Sequence, residues 1–124
     1  MNLLLDSHAL LWWCADGDKL SRRAREAIAS PGSTVYVSVA SGWELTIKTS
    51  LGRLRLAQAV EGAIEAYQFE PLLLTFAHVR RLSDLPYYHR DPFDRMLVAQ
   101  AVVEDLTLVT RDRKIARYEV RTLW

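Results

Sequence analysis

The sequence predicts an α/β fold with a central, mainly parallel sheet, and two observations carry that prediction. Short apolar runs occur at Leu3–Leu5, Thr34–Val39, Pro71–Leu74, Leu106–Thr110 and Val120–Leu123, and stretches with helical spacing separate them. Alternation of this kind builds layered α/β domains. Leu3-Leu4-Leu5 and Leu72-Leu73-Leu74 are also continuously apolar, as strands buried on both faces must be. With 124 residues and no repeat, low-complexity tract or linker, residues 1–124 are expected to form a single domain.

The intervening helices follow from caps and stripes. Ser7 is placed to cap a helix through Leu11, Trp12 and Trp13. Ser21 to Ala29 turns Ala24, Ala27 and Ile28 inward and Arg22, Arg23 and Arg25 outward, then stops at Ser30-Pro31-Gly32. Ser41 is read as the start of a helix through Trp43, Leu45 and Ile47 that ends near Gly52. Ala57 to Tyr67 is amphipathic, and Thr75 to Leu82 follows. Pro92 to Val103 is apolar almost all round, which predicts a central, largely buried helix.

Composition excludes several functions. A formal net charge of +1 cannot drive strong nonspecific binding to nucleic acid, so any polyanion must be held by a local patch. Cys14 is the lone cysteine; no intrachain disulfide and no thiolate cage is available, and it reads as a core residue in a reducing, cytoplasmic setting. The first residues carry no basic leader, and no run approaches the roughly 20 apolar residues of a bilayer span.

The informative residues are acids. Asp6 follows the first strand and Asp112 follows the Leu106 run. In an open parallel sheet all strand C-terminal ends share one edge, where ligands bind. Glu44 lies early in the helix after Thr34–Val39, and Asp94 in the first turn of the buried helix. Each has a structural alternative. Ser41-Gly42-Trp43-Glu44 fits a capping box, and Asp91-Pro92-Phe93-Asp94 fits an N-cap followed by proline and a dipole-complementing acid. Four carboxylates desolvated together by Phe93, Met96 and Leu97, however, require a cation. Oxygen ligands without histidine or cysteine at metal spacing select a hard ion such as Mg2+ or Mn2+. Ser7, Asp91 and Thr110 stand beside the acids as hydrogen-bonding support. The histidines add little at this level, for no His-x-x-x-His pair exists.

Leu4-Leu5-Asp6-Ser7-His8, Ser41-Gly42-Trp43-Glu44, His89-Arg90-Asp91-Pro92-Phe93-Asp94-Arg95-Met96-Leu97 and Leu108-Val109-Thr110-Arg111-Asp112 occur in that order. Together they resemble a PIN domain, in particular the VapC-type toxins of bacterial toxin–antitoxin pairs. The resemblance implies a three-layer α/β/α PIN-like fold, an Mg2+ or Mn2+ cofactor, and RNA as substrate. It assigns the catalytic and metal-binding positions to Asp6, Glu44, Asp94 and Asp112, and it implies a homodimer held inactive by a VapB-type antitoxin.

The expected reaction is endonucleolytic, with one or two cations acidifying a water and leaving 5′-phosphate and 3′-hydroxyl ends. Lys48, Arg90, Arg95, Arg111 and Arg113 are the candidates for contact with the RNA backbone, although Glu44 to Lys48 is also a favourable helical ion-pair spacing. Trp43, Tyr87 and Tyr88 are possible base-stacking residues, with core packing for Trp43 and loop packing for the tyrosines as the plainer expectation. An RNA-processing nuclease without an antitoxin, and a non-catalytic RNA- or protein-binding module, are the alternatives. A haloacid-dehalogenase-like phosphatase is disfavoured because Asp6-Ser7-His8 lacks the second aspartate.

Overall fold

The computed structural model describes all 124 residues. Strand β1 (Asn2–Leu5) leads into α1 (Ser7–Ala15), a 3-10 turn at Gly17–Lys19 and α2 (Arg22–Ala29). Then come β2 (Thr34–Ser38), α3 (Val39–Ser50), α4 (Val60–Ala66), β3 (Glu70–Leu72) and α5 (Phe76–Ser83). The chain closes with α6 (Pro92–Glu104), β4 (Thr107–Val109), a 3-10 turn at Ile115–Arg117 and β5 (Thr122–Leu123). The five strands lie in the order β3-β2-β1-β4-β5, and every neighbouring pair is parallel.

The predicted α/β/α layering follows from how β1 shares out its side chains. Leu3 and Leu5 face a core with Ala9, Leu10, Ala24, Ile28 and Leu45 from α1, α2 and α3. Leu4 faces the other way, onto Leu97, Val98 and Ala101 of α6. All three leucines are fully buried, and burial of each contributes about 1.5–3 kcal/mol. The edges differ from expectation. Strand β3 is shorter than Pro71–Leu74 and lies at the rim, so Leu73 (66% exposed) and Leu74 are not buried on two faces. Pro71, with no N–H to give a further neighbour, suits an edge. Strand β5 likewise covers only part of Val120–Leu123.

Caps set the helix starts. Helix α1 is capped by Asp6, whose Oδ1 accepts the Ala9 N–H at 2.8 Å, and Ser7 is instead its first residue. Helix α2 begins at Arg22, and Ser21, expected as its first residue, is instead its cap. Helix α3 starts at Val39, two residues before Ser41, because Ser38 takes the capping role. Its hydroxyl accepts the Ala40 N–H at 3.0 Å and donates to Gln100 of α6 at 2.5 Å. The Ser41/Glu44 capping box therefore does not form; Glu44 falls in the second turn with its carboxylate released for other work. Helix α4 begins at Val60 rather than Ala57, since Leu54 and Leu56 pack on the core from non-helical backbone. Asp91 caps α6, accepting the Phe93 and Asp94 N–H groups at 2.9 and 3.0 Å, with Pro92 at the first helical position. Cys14 is exposed, not in the core: α1 buries Ala9 and Leu10, and Cys14 lies past them in its last turn.

Candidate metal centre

The chain runs outward from β1 to β2 and β3 on one side and places β4 and β5 on the other, so the strand order reverses at β1 and β4. Such a reversal opens a crevice at the strand C-terminal ends. Leu5 is in register with Val109, and the Asp6 N–H donates to the Val109 carbonyl at 3.1 Å. Asp6 and Thr110 thus leave the sheet side by side. Asp6 is buried, and burial raises its pKa despite the opposing hydrogen bonds from the Thr110 side chain and the Ala9 N–H. Thr110 also accepts the Asp112 N–H at 3.1 Å, tying the second strand-end acid to the first.

Glu44 arrives from α3. It is buried, accepts the Ser7 hydroxyl at 2.5 Å and pairs with Lys48 at 3.0 Å. Asp94 arrives from the first turn of α6, across the crevice. Its pKa is pushed up to about 7, first by burial and then by the negative charges of Asp91, Asp6, Glu44 and Asp112. The four expected acids therefore meet in one field. The donors suit a hard divalent cation: carboxylate oxygens in a desolvated site, where the one cation in an ion pair with any of the four is Lys48.

Sequence reasoning passed over one residue here. His89 brings Nε2 to 3.6 Å from Asp94 Oδ2. His89, Asp94 and Asp112 can each place a ligand atom within 4.8 Å of the others. The only signal in the sequence was its place two residues before Asp91, in the longest of the acid-bearing segments.

The basic candidates divide. Arg90, Arg111 and Arg113 are exposed and in no ion pair, and Arg111 lies over the Trp12 ring at 4.6 Å. Asp6, His8, Trp12, Arg111 and Asp112 line a cavity of about 230 Å³. Lys48 is engaged by Glu44. Arg95 corrects the expectation of a backbone contact, for it is 5% exposed and points inward. Its guanidinium donates to the Pro86 carbonyl at 2.7 Å, the Tyr118 hydroxyl at 3.1 Å, and the Leu85 and Leu82 carbonyls at 3.4 and 3.5 Å. Those acceptors hold it against the loop before α6. Trp43 also departs from its expected core position: it is 60% exposed and packs edge-on against Phe93. Tyr88 packs against Tyr118, whereas Tyr87 is exposed beside Arg95.

The family model described as PIN domain matches residues 3–120. The chain belongs to the PIN-domain family. It is similar to Ribonuclease VapC22 of Mycobacterium tuberculosis, 31% identical over 116 residues, or 91% of this chain and 88% of that one. Its fold resembles the VapBC2 complex of Rickettsia felis bound to a promoter DNA fragment, with a TM-score of 0.71 and 12% identity over 99% of this chain and 98% of that one. A toxin–antitoxin complex from Klebsiella pneumoniae gives a TM-score of 0.66 and 15% identity over 98% and 96%. The match to these two is one of fold.

Proposed function

We propose that this PIN domain is a metal-dependent endoribonuclease and the toxin of a toxin–antitoxin pair, a single domain spanning residues 1–124. One observation carries the chemistry: Asp94 is held near pKa 7 by burial and by the surrounding acids, a state that a divalent cation relieves. Similarity to Ribonuclease VapC22 over most of both chains supports RNA as the substrate.

Asp6 and Asp94 are the direct ligands in this reading, with Glu44 and Asp112 completing the set. Bound Mg2+ or Mn2+ supplies a more acidic water and offsets charge on the scissile phosphate. The chain does the rest. Ser7 and Lys48 fix the Glu44 carboxylate, Thr110 braces Asp6 and Asp112, and Asp91 holds the start of α6 so that Asp94 faces the crevice. Arg90, Arg111 and Arg113 remain for the RNA backbone, with Lys48 at the margin. The fold neighbours solved as toxin–antitoxin complexes support a VapB-type antitoxin as partner. A homodimer is supported by the apolar surface of Leu73, Leu74, Phe76 and Val79 beyond strand β3. A cytoplasmic location is part of the proposal, and no helix is long and apolar enough to cross a membrane.

The test is cleavage of total bacterial RNA by the purified, partner-free protein with Mg2+ or Mn2+. Cutting is expected to vanish with EDTA and to fall at least about 100-fold in Asp94→Asn, leaving 5′-phosphate ends in the wild-type digest. Metal-independent cutting, or 2′,3′-cyclic phosphate products, would rule the mechanism out.

A further inference from the structure

The loop between α5 and α6 buries a histidine whose hydrogen-bonding sense can be deduced. The His89 side chain is 5% exposed, and Nδ1 lies 3.0 Å from the Tyr118 hydroxyl. The same hydroxyl oxygen accepts an Arg95 Nη1–H at 3.1 Å, and Tyr118 is itself 3% exposed. A guanidinium only donates, so Tyr118 is the acceptor on that side. Its one hydroxyl hydrogen then needs an acceptor of its own, and His89 Nδ1 is the other polar atom in reach. A neutral imidazole that accepts at Nδ1 carries its proton on Nε2. That nitrogen is buried, lacks a hydrogen-bond partner and faces Asp94 Oδ2 at 3.6 Å.

We propose that Arg95, Tyr118 and His89 form a directed hydrogen-bond chain that ends in a His89 Nε2–H aimed at Asp94, which makes His89 a positioning residue for that carboxylate. A few tenths of an ångström of closure turns the contact into a hydrogen bond. One Asp94 oxygen is then held by the protein while the other stays free. The opposite tautomer would offer the Nε2 lone pair to a cation, making His89 a ligand. It would also point an N–H at a Tyr118 oxygen already accepting from Arg95, and strand the hydroxyl hydrogen in a buried site. Arg95 gains a role from the same chain: its fork sets the direction in which every hydrogen downstream must point. The benefit to Asp94 as a cation ligand rests on the nuclease reading; the tautomer does not.

The deciding measurement is a long-range 1H–15N correlation on the metal-free wild-type protein with labelled histidine, at about pH 8. His89 is expected to show a protonated Nε2 and a bare Nδ1; a protonated Nδ1 overturns the proposal. In Tyr118→Phe the ring is expected to relax into a mixture of tautomers, and an unchanged ring would also overturn it. Kinetics give the functional half. His89→Ala should lower kcat about 10–100-fold with KM for RNA unchanged, while His89→Gln, which keeps a donor near the Nε2 position, should recover to within about threefold of wild type. Equal losses in both variants, or none in His89→Ala, defeat the positioning role. If the wild type carries the expected tautomer yet neither binds Mg2+ nor cuts RNA, the nuclease reading falls and the hydrogen-bond chain stands.

Discussion

Asp94 carries a definite sign for stability against pH. Its carboxyl is raised in the folded state from 3.8 to about 7, so the native protein holds a proton that the unfolded chain has already released. Metal-free stability must therefore fall as pH climbs through that interval, and Asp6, raised in the same direction, adds to the slope. The melting temperature in EDTA should be lower at about pH 8 than at about pH 5.5. Asp94→Asn should flatten the slope and exceed wild type at the higher pH, whereas a melting temperature that rises with pH would contradict the burial argument. Arg95 makes the opposite kind of prediction. Arg95→Met leaves the Pro86 carbonyl and the Tyr118 hydroxyl short of a buried donor and should cost about 2–4 kcal/mol in urea unfolding. A large loss of RNA affinity without loss of stability would restore the discarded reading of Arg95 as a phosphate contact. At this scale the sequence was legible where chemistry was local. An acid directly after a strand must stand at the sheet edge. An arginine one residue after Asp94 gives no hint that its partners are carbonyls nine to thirteen positions back, and His89 gave none of its contact with Tyr118.

Elements explain why some boundaries were readable and others were not. Helix α6 was, because Asp91, Pro92 and Asp94 are consistent with a single start. Asp91→Ala should cost about 1 kcal/mol of stability, from loss of the cap, and should lower nuclease activity more than its modest thermal effect suggests, since the first turn of α6 carries Asp94. Equal proportional losses in stability and activity would mean that the cap serves the fold alone. The start of α3 was ambiguous, because Ser38 and Ser41 are both respectable caps. The choice was made by Gln100, 62 residues away, which takes the Ser38 hydroxyl hydrogen. Strand β3 was misjudged for a similar reason: an apolar run does not reveal whether it will have one neighbour or two.

For the whole molecule, the apolar groups left outside mark where another chain is to be sought. Phe76 is 80% exposed and Leu73 66%, and adjoining exposed apolar side chains are where an interface is to be tested first. In the proposed homodimer Phe76→Glu should shift the mass measured by sedimentation equilibrium from dimer towards monomer without changing the circular dichroism spectrum. A dimer of unchanged strength would move the interface elsewhere. The layered fold itself was legible throughout, since the period of the strands and the stripes of the helices are whole-chain properties that a few misplaced ends do not disturb.

The strand order has a consequence for synthesis. Strand β1 leaves the ribosome first, but its partner β4 is made about a hundred residues later, and only their pairing in register brings Asp6 beside Asp112. Closing so distant a contact is slow and cannot begin early. Until Thr107–Val109 has been made, the pairing that sets Asp6 beside Asp112 is missing, so the proposed nuclease site is not assembled for most of translation. In the proposed toxin, a sheet that pairs β1 with a strand made about a hundred residues later holds back the assembly of the cutting site until β4 has emerged.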